Sequence, residues 1–159
     1  MIRHGYPMLW PDRVPAKCFE IGEFLVQELG ITSLHIFAPK KEPAPPDFRI
    51  AFHRACHGRA LGLSTEQEQL VASLPGVKLT PFQQPEQCCG FGGAFSATHG
   101  KLSDGIGSEK LRNIQESNAD LILSGDMGCL MHLQGLIDRQ SLPLRTMHYL
   151  QFAAEVLEL

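Results

Sequence analysis

The sequence predicts an α/β domain: a mainly parallel sheet with helices on both faces, in a Rossmann-like three-layer arrangement. Three observations carry that expectation. Short strand-like apolar runs alternate with segments of helical spacing along the chain. Four of the five cysteines fall just after the ends of strand-like runs. With 159 residues, 43% of them hydrophobic, the chain can bury a full core without disulfide staples.

The elements follow in order. Residues 1–16 open with a Pro- and aromatic-rich stretch that reads as a linker-like segment, leaving 17–159 as a single domain. Residues 16–30 have helical spacing, with Phe19, Phe24, Leu25 and Leu29 as the apolar face and Gly30 as the stop. Residues 31–38 (ITSLHIFA) read as a strand. Four prolines in 39–48 exclude a helix interior or a central strand, so this is an exposed loop. Residues 49–55 (RIAFHRA) give a strand. Residues 64–74 give a helix, with Ser64 and Glu66 or Gln67 as a capping box. Residues 76–82 form a short strand, and 94–118 are mostly helical after a Gly-broken start. ADLILSGD (119–126) is the clearest buried strand. A helix over 129–140, a strand over 143–149 and a closing helix over 150–159 complete the pattern.

Composition excludes several functions. The net charge of −3, with Lys and Arg scattered, provides no footprint for nucleic acid or an anionic membrane. No apolar run reaches the ~18 residues of a membrane span, and the first residues lack a signal-peptide core. The expectation is a cytoplasmic protein, where reduced thiols serve metal binding or redox chemistry rather than structural disulfides.

Cys56 follows the strand at 49–55, Cys88 and Cys89 follow that at 76–82, and Cys129 follows that at 119–126. In an open parallel sheet the carboxyl ends of the strands share one edge, and ligands bind just outside it. Four thiols are therefore expected at one place. The adjacent pair needs an irregular turn to aim both sulfurs at one target, and Gly90, Gly92 and Gly93 supply the unusual φ values. Four thiolates suit an iron–sulfur cluster or a zinc ion. The absence of a C-x-x-C knuckle and the presence of an adjacent pair favour several irons over zinc, which stays the alternative. A thiol switch at Cys88 and Cys89 ranks last, because a ring between adjacent cysteines is strained.

With Cys56 separated by 31 residues from Cys88-Cys89-Gly90, and Cys129 beyond, the chain resembles the cysteine-rich CCG domain. That family includes a heterodisulfide reductase component, the glycolate oxidase iron–sulfur subunit and lactate utilization protein A. CCGFGGAFS at 88–96 and GDMGCLMHLQGLIDRQ at 125–140 are most similar to the lactate utilization branch, as is YPMLW…FEIGEFLVQELG near the start. The resemblance implies an iron–sulfur cluster of the 4Fe-4S kind held by Cys56, Cys88, Cys89 and Cys129, with Gly90 in the binding loop. It also implies an electron-transfer subunit, without substrate-converting residues of its own, in a system oxidising L-lactate to pyruvate; glycolate oxidation is the alternative. Its partners would be the other subunits of that system. Relatives carry two such domains in tandem and this chain matches the second, so a separate first CCG domain or a homodimer is expected to cover the apolar residues Ile2, Tyr6, Met8, Leu9 and Trp10.

One departure from the family pattern concerns the closing C-x-x-C: after Cys129 come Leu130, Met131 and His132. His132, on the same helix face as Cys129, is a candidate replacement ligand, although the plainer reading is a hydrogen-bonding or exposed histidine. His57 is a candidate donor to the centre. His53 and His148 read as satisfied core or edge residues, Cys18 as a buried small hydrophobe, and Asp104 and Asp126 as caps. The glycines do not form G-x-G-x-x-G, since position 95 is Phe.

Overall fold

The computed structural model describes residues 5–13, 17–38 and 47–159. Ile2 and most of the Pro-rich segment lie outside these residues. Strands β1 (Phe48–Phe52), β2 (Val77–Leu79), β3 (Leu121–Ser124) and β4 (Arg145–His148) form one sheet in the order β2-β1-β3-β4, with every pairing parallel. The α/β fold expected from the sequence is therefore present. Helix α1 (Tyr6–Leu9) and a 3₁₀ turn (Pro11–Arg13) precede it, followed by α2 (Ile21–Glu23), α3 (Cys56–Ala60), α4 (Glu66–Ala72), α5 (Ala94–Thr98), α6 (Gly100–Glu116), α7 (Met127–Gln140) and α8 (Tyr149–Val156).

Strand alternation divides the core in two. Ile50, Phe52, Leu121 and Leu123 face one side, where Leu70, Val71 and Leu74 of α4 and its exit pack with Tyr149, Phe152 and Ala153 of α8. Ala51 and Ile122 face the other, against Leu111 and Ile114 of α6 and Leu133, Leu136 and Ile137 of α7. All of β3 is buried, as a central strand covered on both faces must be. The chain leaves β1 towards β2 with α4 on the first face, and returns from β2 to β3 with α6 on the second. Opposite directions of travel on opposite faces give all crossovers a single hand.

Three local expectations are corrected. Residues 31–38 do not form a strand: Leu34–Phe37 is a 3₁₀ turn capped by Ser33, whose Oγ accepts from His35 N–H. Only Leu34 is buried there, its N–H donating to Ser73 Oγ at 2.8 Å, and the sheet edge is taken by β2. After α2 the helix widens into π turns over Phe24–Glu28, which shifts the inward face to Leu25 and Val26 and leaves Phe24 and Leu29 exposed. The Ser64 capping box is not made. Thr65 occupies the N-cap of α4, and the Ser64 N–H donates to Glu66.

The segment at 17–28 is joined to the body by specific bonds. Glu20 caps α2, accepting from Gly22 and Glu23 N–H, and also accepts the Tyr149 hydroxyl proton at 2.9 Å. Among the described residues, no helix is long and apolar enough to cross a membrane.

Candidate metal centre

The order β2-β1-β3-β4 has a switch point between β1 and β3. The chain leaves β1 to one side and β3 to the other, so a crevice opens outside their carboxyl ends. Cys56 opens α3 after β1, and Cys129 lies in the first turn of α7 after β3. A cleft of about 300 Å³ opens beside these strand ends on the α4 side, bordered by Arg54, His57 and Arg59 and by Gly125 and Asp126, and no cysteine lines it. Cys88 and Cys89 arrive from the long connection after β2.

Of the four cysteines, Cys89 and Cys129 are brought into contact, both buried, with sulfurs 2.9 Å apart. That distance is well beyond the ~2.05 Å of a disulfide bond. Cys56 and Cys88 are exposed. Cys88 Sγ accepts the Gly90 N–H at 3.3 Å. Cys18, partly buried ahead of α2, is not in the buried group of donors.

Helix α7 begins at the N-cap Asp126, whose Oδ1 accepts the Cys129 N–H at 3.1 Å, as expected from the sequence. The double-cysteine loop depends on two glycines. Gly90 has φ +93°, and a Cβ there would run into the Ser103 carbonyl oxygen. Across it, Gly107 of α6 lets the helix close on the loop: a Cβ would come within 2.9 Å of the Cys89 carbonyl oxygen and strike Leu136. Ser103 Oγ donates to the Gly90 carbonyl at 2.8 Å and fixes the turn.

Lys110, which sequence reasoning missed, is fully buried beneath the loop. Its ammonium donates to the carbonyls of Pro85 at 3.2 Å and Gln87 at 3.0 Å, and sits 5.0 Å from the centroid of the Phe82 ring. Burial lowers its pKa to about 8, against the pull of Cys89, Cys129 and Cys88, which favour its charged form. A lysine in the polar-looking run SEKLRN carries no sequence signal of burial.

The expectation that His53 is a satisfied core residue is also corrected. His53 lies at the end of β1, 1% exposed, and neither ring nitrogen makes a well-aligned hydrogen bond. It is instead gathered with Cys89 and Cys129, all three ligand atoms lying within 4.8 Å of one another. Alternation along β1 turns it to the face of Ala51, but only the fold shows which groups it meets there. His132 lies elsewhere, beside Gly90, with Nε2 3.4 Å from Ser103 Oγ. His57 is exposed on the cleft, and His148 Nδ1 accepts from Leu150 N–H as the cap of α8.

The electrostatics fit a soft cation or an anionic thiolate cluster. Cys89 is held well below the usual thiol range, first by the Cys129 S–H donating to it and then by His53 and the Phe91 N–H. Cys129 is pushed up by the same contact and by burial. Burial lowers the His53 pKa and keeps its imidazole in the neutral, ligating form. Around this pair, Arg54 and Arg59 of the Cys56 segment bind Glu86 of the Cys88 loop, at 3.8 and 3.2 Å. Such half-exposed pairs add little stability but set the two segments in register.

A parallel sheet with a Cys-Cys-Gly turn whose Cys89 meets Cys129 defines a cysteine-rich α/β domain. The family model of the CCG cysteine-rich domain matches residues 50–134, a stretch containing all four cysteines and His53, and the chain belongs to that family. Its relatives include lactate utilization protein A of Geobacillus thermodenitrificans, 36% identical over 137 residues, which cover 86% of this chain and 54% of that protein. The protein of the same name from Geobacillus kaustophilus is 36% identical over 154 residues, covering 92% and 59%. That from Halalkalibacterium halodurans is 34% identical over 144 residues, covering 88% and 56%. The chain spans somewhat more than half the length of these relatives.

Proposed function

We propose that this chain is an iron–sulfur electron-transfer module of a system that oxidises L-lactate to pyruvate in the cytoplasm. The observation that carries the reading is the buried Cys89–Cys129 contact at the switch point, with Cys56 and Cys88 flanking it on segments tied together through Glu86. Membership of the CCG family and the name of the relatives support it. A bound 4Fe-4S cluster would supply one-electron carriage. The chain's own residues hold and tune it: Cys56, Cys88, Cys89 and Cys129 provide thiolates, Gly90 permits the turn, and Lys110 places a buried positive charge near the anionic sulfurs. Conversion of lactate, or of glycolate in the alternative system, falls to partner subunits. Met8, Leu9 and Trp10 of α1 and its exit, 85%, 67% and 53% exposed, support docking of a first CCG domain or a second copy.

One observation favours a second reading. A mixed group of one imidazole and two thiols is a donor set for zinc, which would make the domain a structural module. Anaerobic reconstitution separates the two. The cluster reading expects iron and sulfide in comparable amounts, both sharply reduced by Cys89→Ser, since a hydroxyl replaces a soft thiolate poorly. Stoichiometric zinc without sulfide favours the structural module and contradicts the first reading.

A further inference from the structure

We propose that His53 is a metal ligand, contributing an imidazole nitrogen beside the Cys89 and Cys129 sulfurs to a site able to hold a single thiophilic divalent cation. The proposal deepens the reading of these cysteines as a metal centre and rests on it.

Three observations converge. His53 is buried and neither ring nitrogen makes a well-aligned hydrogen bond, its interaction being with the Cys89 sulfur, whereas buried polar groups almost always find full partners. Leaving such a group poorly paired is costly, so its presence in the core calls for an occupant. The ring also sits with Cys89 and Cys129, ligand atoms within 4.8 Å of one another. In a tetrahedral zinc site, bonds of about 2.3 Å to sulfur and 2.0 Å to nitrogen set neighbouring donors roughly 3.5–3.8 Å apart. The sulfurs, now at 2.9 Å, need to part by less than about an ångström to reach that spacing.

The backbone already orients the donors. Ser124 Oγ donates to the His53 carbonyl at 3.0 Å and accepts the Asp126 N–H at 3.2 Å, which joins the end of β1 to the start of α7. His53 and Cys129 are thus fixed relative to each other through one serine. His132, the nitrogen donor expected from its spacing to Cys129, is engaged instead with Ser103 and the Gly90 turn.

The test uses the full chain, reduced and metal-free under anaerobic conditions, titrated with Co(II) and followed by its sulfur-to-cobalt charge-transfer absorption. Wild type is expected to bind one ion. His53→Leu should weaken binding roughly 100-fold while the metal-free chain still folds, as its thermal unfolding checks. His53→Cys should restore binding with a stronger charge-transfer band, and His132→Gln should bind as wild type does. Wild-type affinity in His53→Leu, or loss in His53→Leu that His53→Cys does not rescue, overturns the proposal. A wild-type chain that takes up iron and sulfide but no cobalt overturns the ligand role and leaves the cluster reading standing. A chain that takes up neither overturns both.

Discussion

The two faces of the sheet are built from the same aliphatic vocabulary and serve opposite ends. On the face of α4 and α8, Ile50, Phe52, Leu70, Leu121, Leu123 and Phe152 form an apolar core, and its buried tyrosine hydroxyl has a carboxylate partner. On the face of α6 and α7, Leu111, Ile114, Ile122 and Leu133 pack around two thiols, and the nearby buried polar groups include a poorly paired imidazole and a buried ammonium. The first arrangement is what a sheet needs in order to fold. The second carries desolvation costs that folding alone does not require. The contrast marks the second face as the candidate site without reference to any relative.

Substitutions on the two faces should therefore separate stability from metal binding. The largest loss of stability is expected from Leu70→Ala, at a residue with no exposure in the apolar face. It should cost about 2–5 kcal/mol in chemical unfolding and leave metal stoichiometry unchanged. A Leu70→Ala protein that stays folded yet binds less metal would break the division.

Gly90→Ala sharpens it from the other side. The methyl group must be held at φ +93° and pressed against the Ser103 carbonyl, at a cost of roughly 1–3 kcal/mol. Because the strain falls on the turn that aims Cys88 and Cys89, metal affinity should fall together with stability. Unchanged affinity would show that the turn does not position the sulfurs.

The smallest effect is expected from Lys110→Met. Removing a cation beside the anionic thiolates should weaken retention of an anionic iron–sulfur cluster by roughly ten-fold, the effect of one neighbouring charge at protein-like dielectric. Lys110→Arg should recover part of that loss if the charge matters more than the two carbonyl bonds. Equal retention in wild type and both variants would reduce Lys110 to a packing residue.

Much of the fold is legible in the sequence, because β1, β3 and the long helices state their periods openly. ADLILSGD can be little else than a buried strand, and the observed β3 falls inside it. The segment ITSLHIFA reads as a strand because a short apolar run fits either period. The sheet ends at β2 instead, and Ser33 caps a tighter turn there. The helix before it loses its expected phase where π turns widen it. At the site, the cysteine spacing and the strand order point to one edge, and the structure brings Cys89 and Cys129 into contact there. His53 and Lys110 are not legible. A histidine ending a strand and a lysine inside a charged helix look ordinary until the folded loop is laid across them.

The central claim, that the thiol-bearing face holds a metal centre at the switch point, is tested most directly by anomalous diffraction from crystals of the anaerobically iron-reconstituted chain. Iron scattering is expected within bonding distance of the Cys89 and Cys129 sulfurs, between the carboxyl ends of β1 and β3. Iron bound at any other surface, with Cys89 and Cys129 still in contact as free thiols, would contradict it.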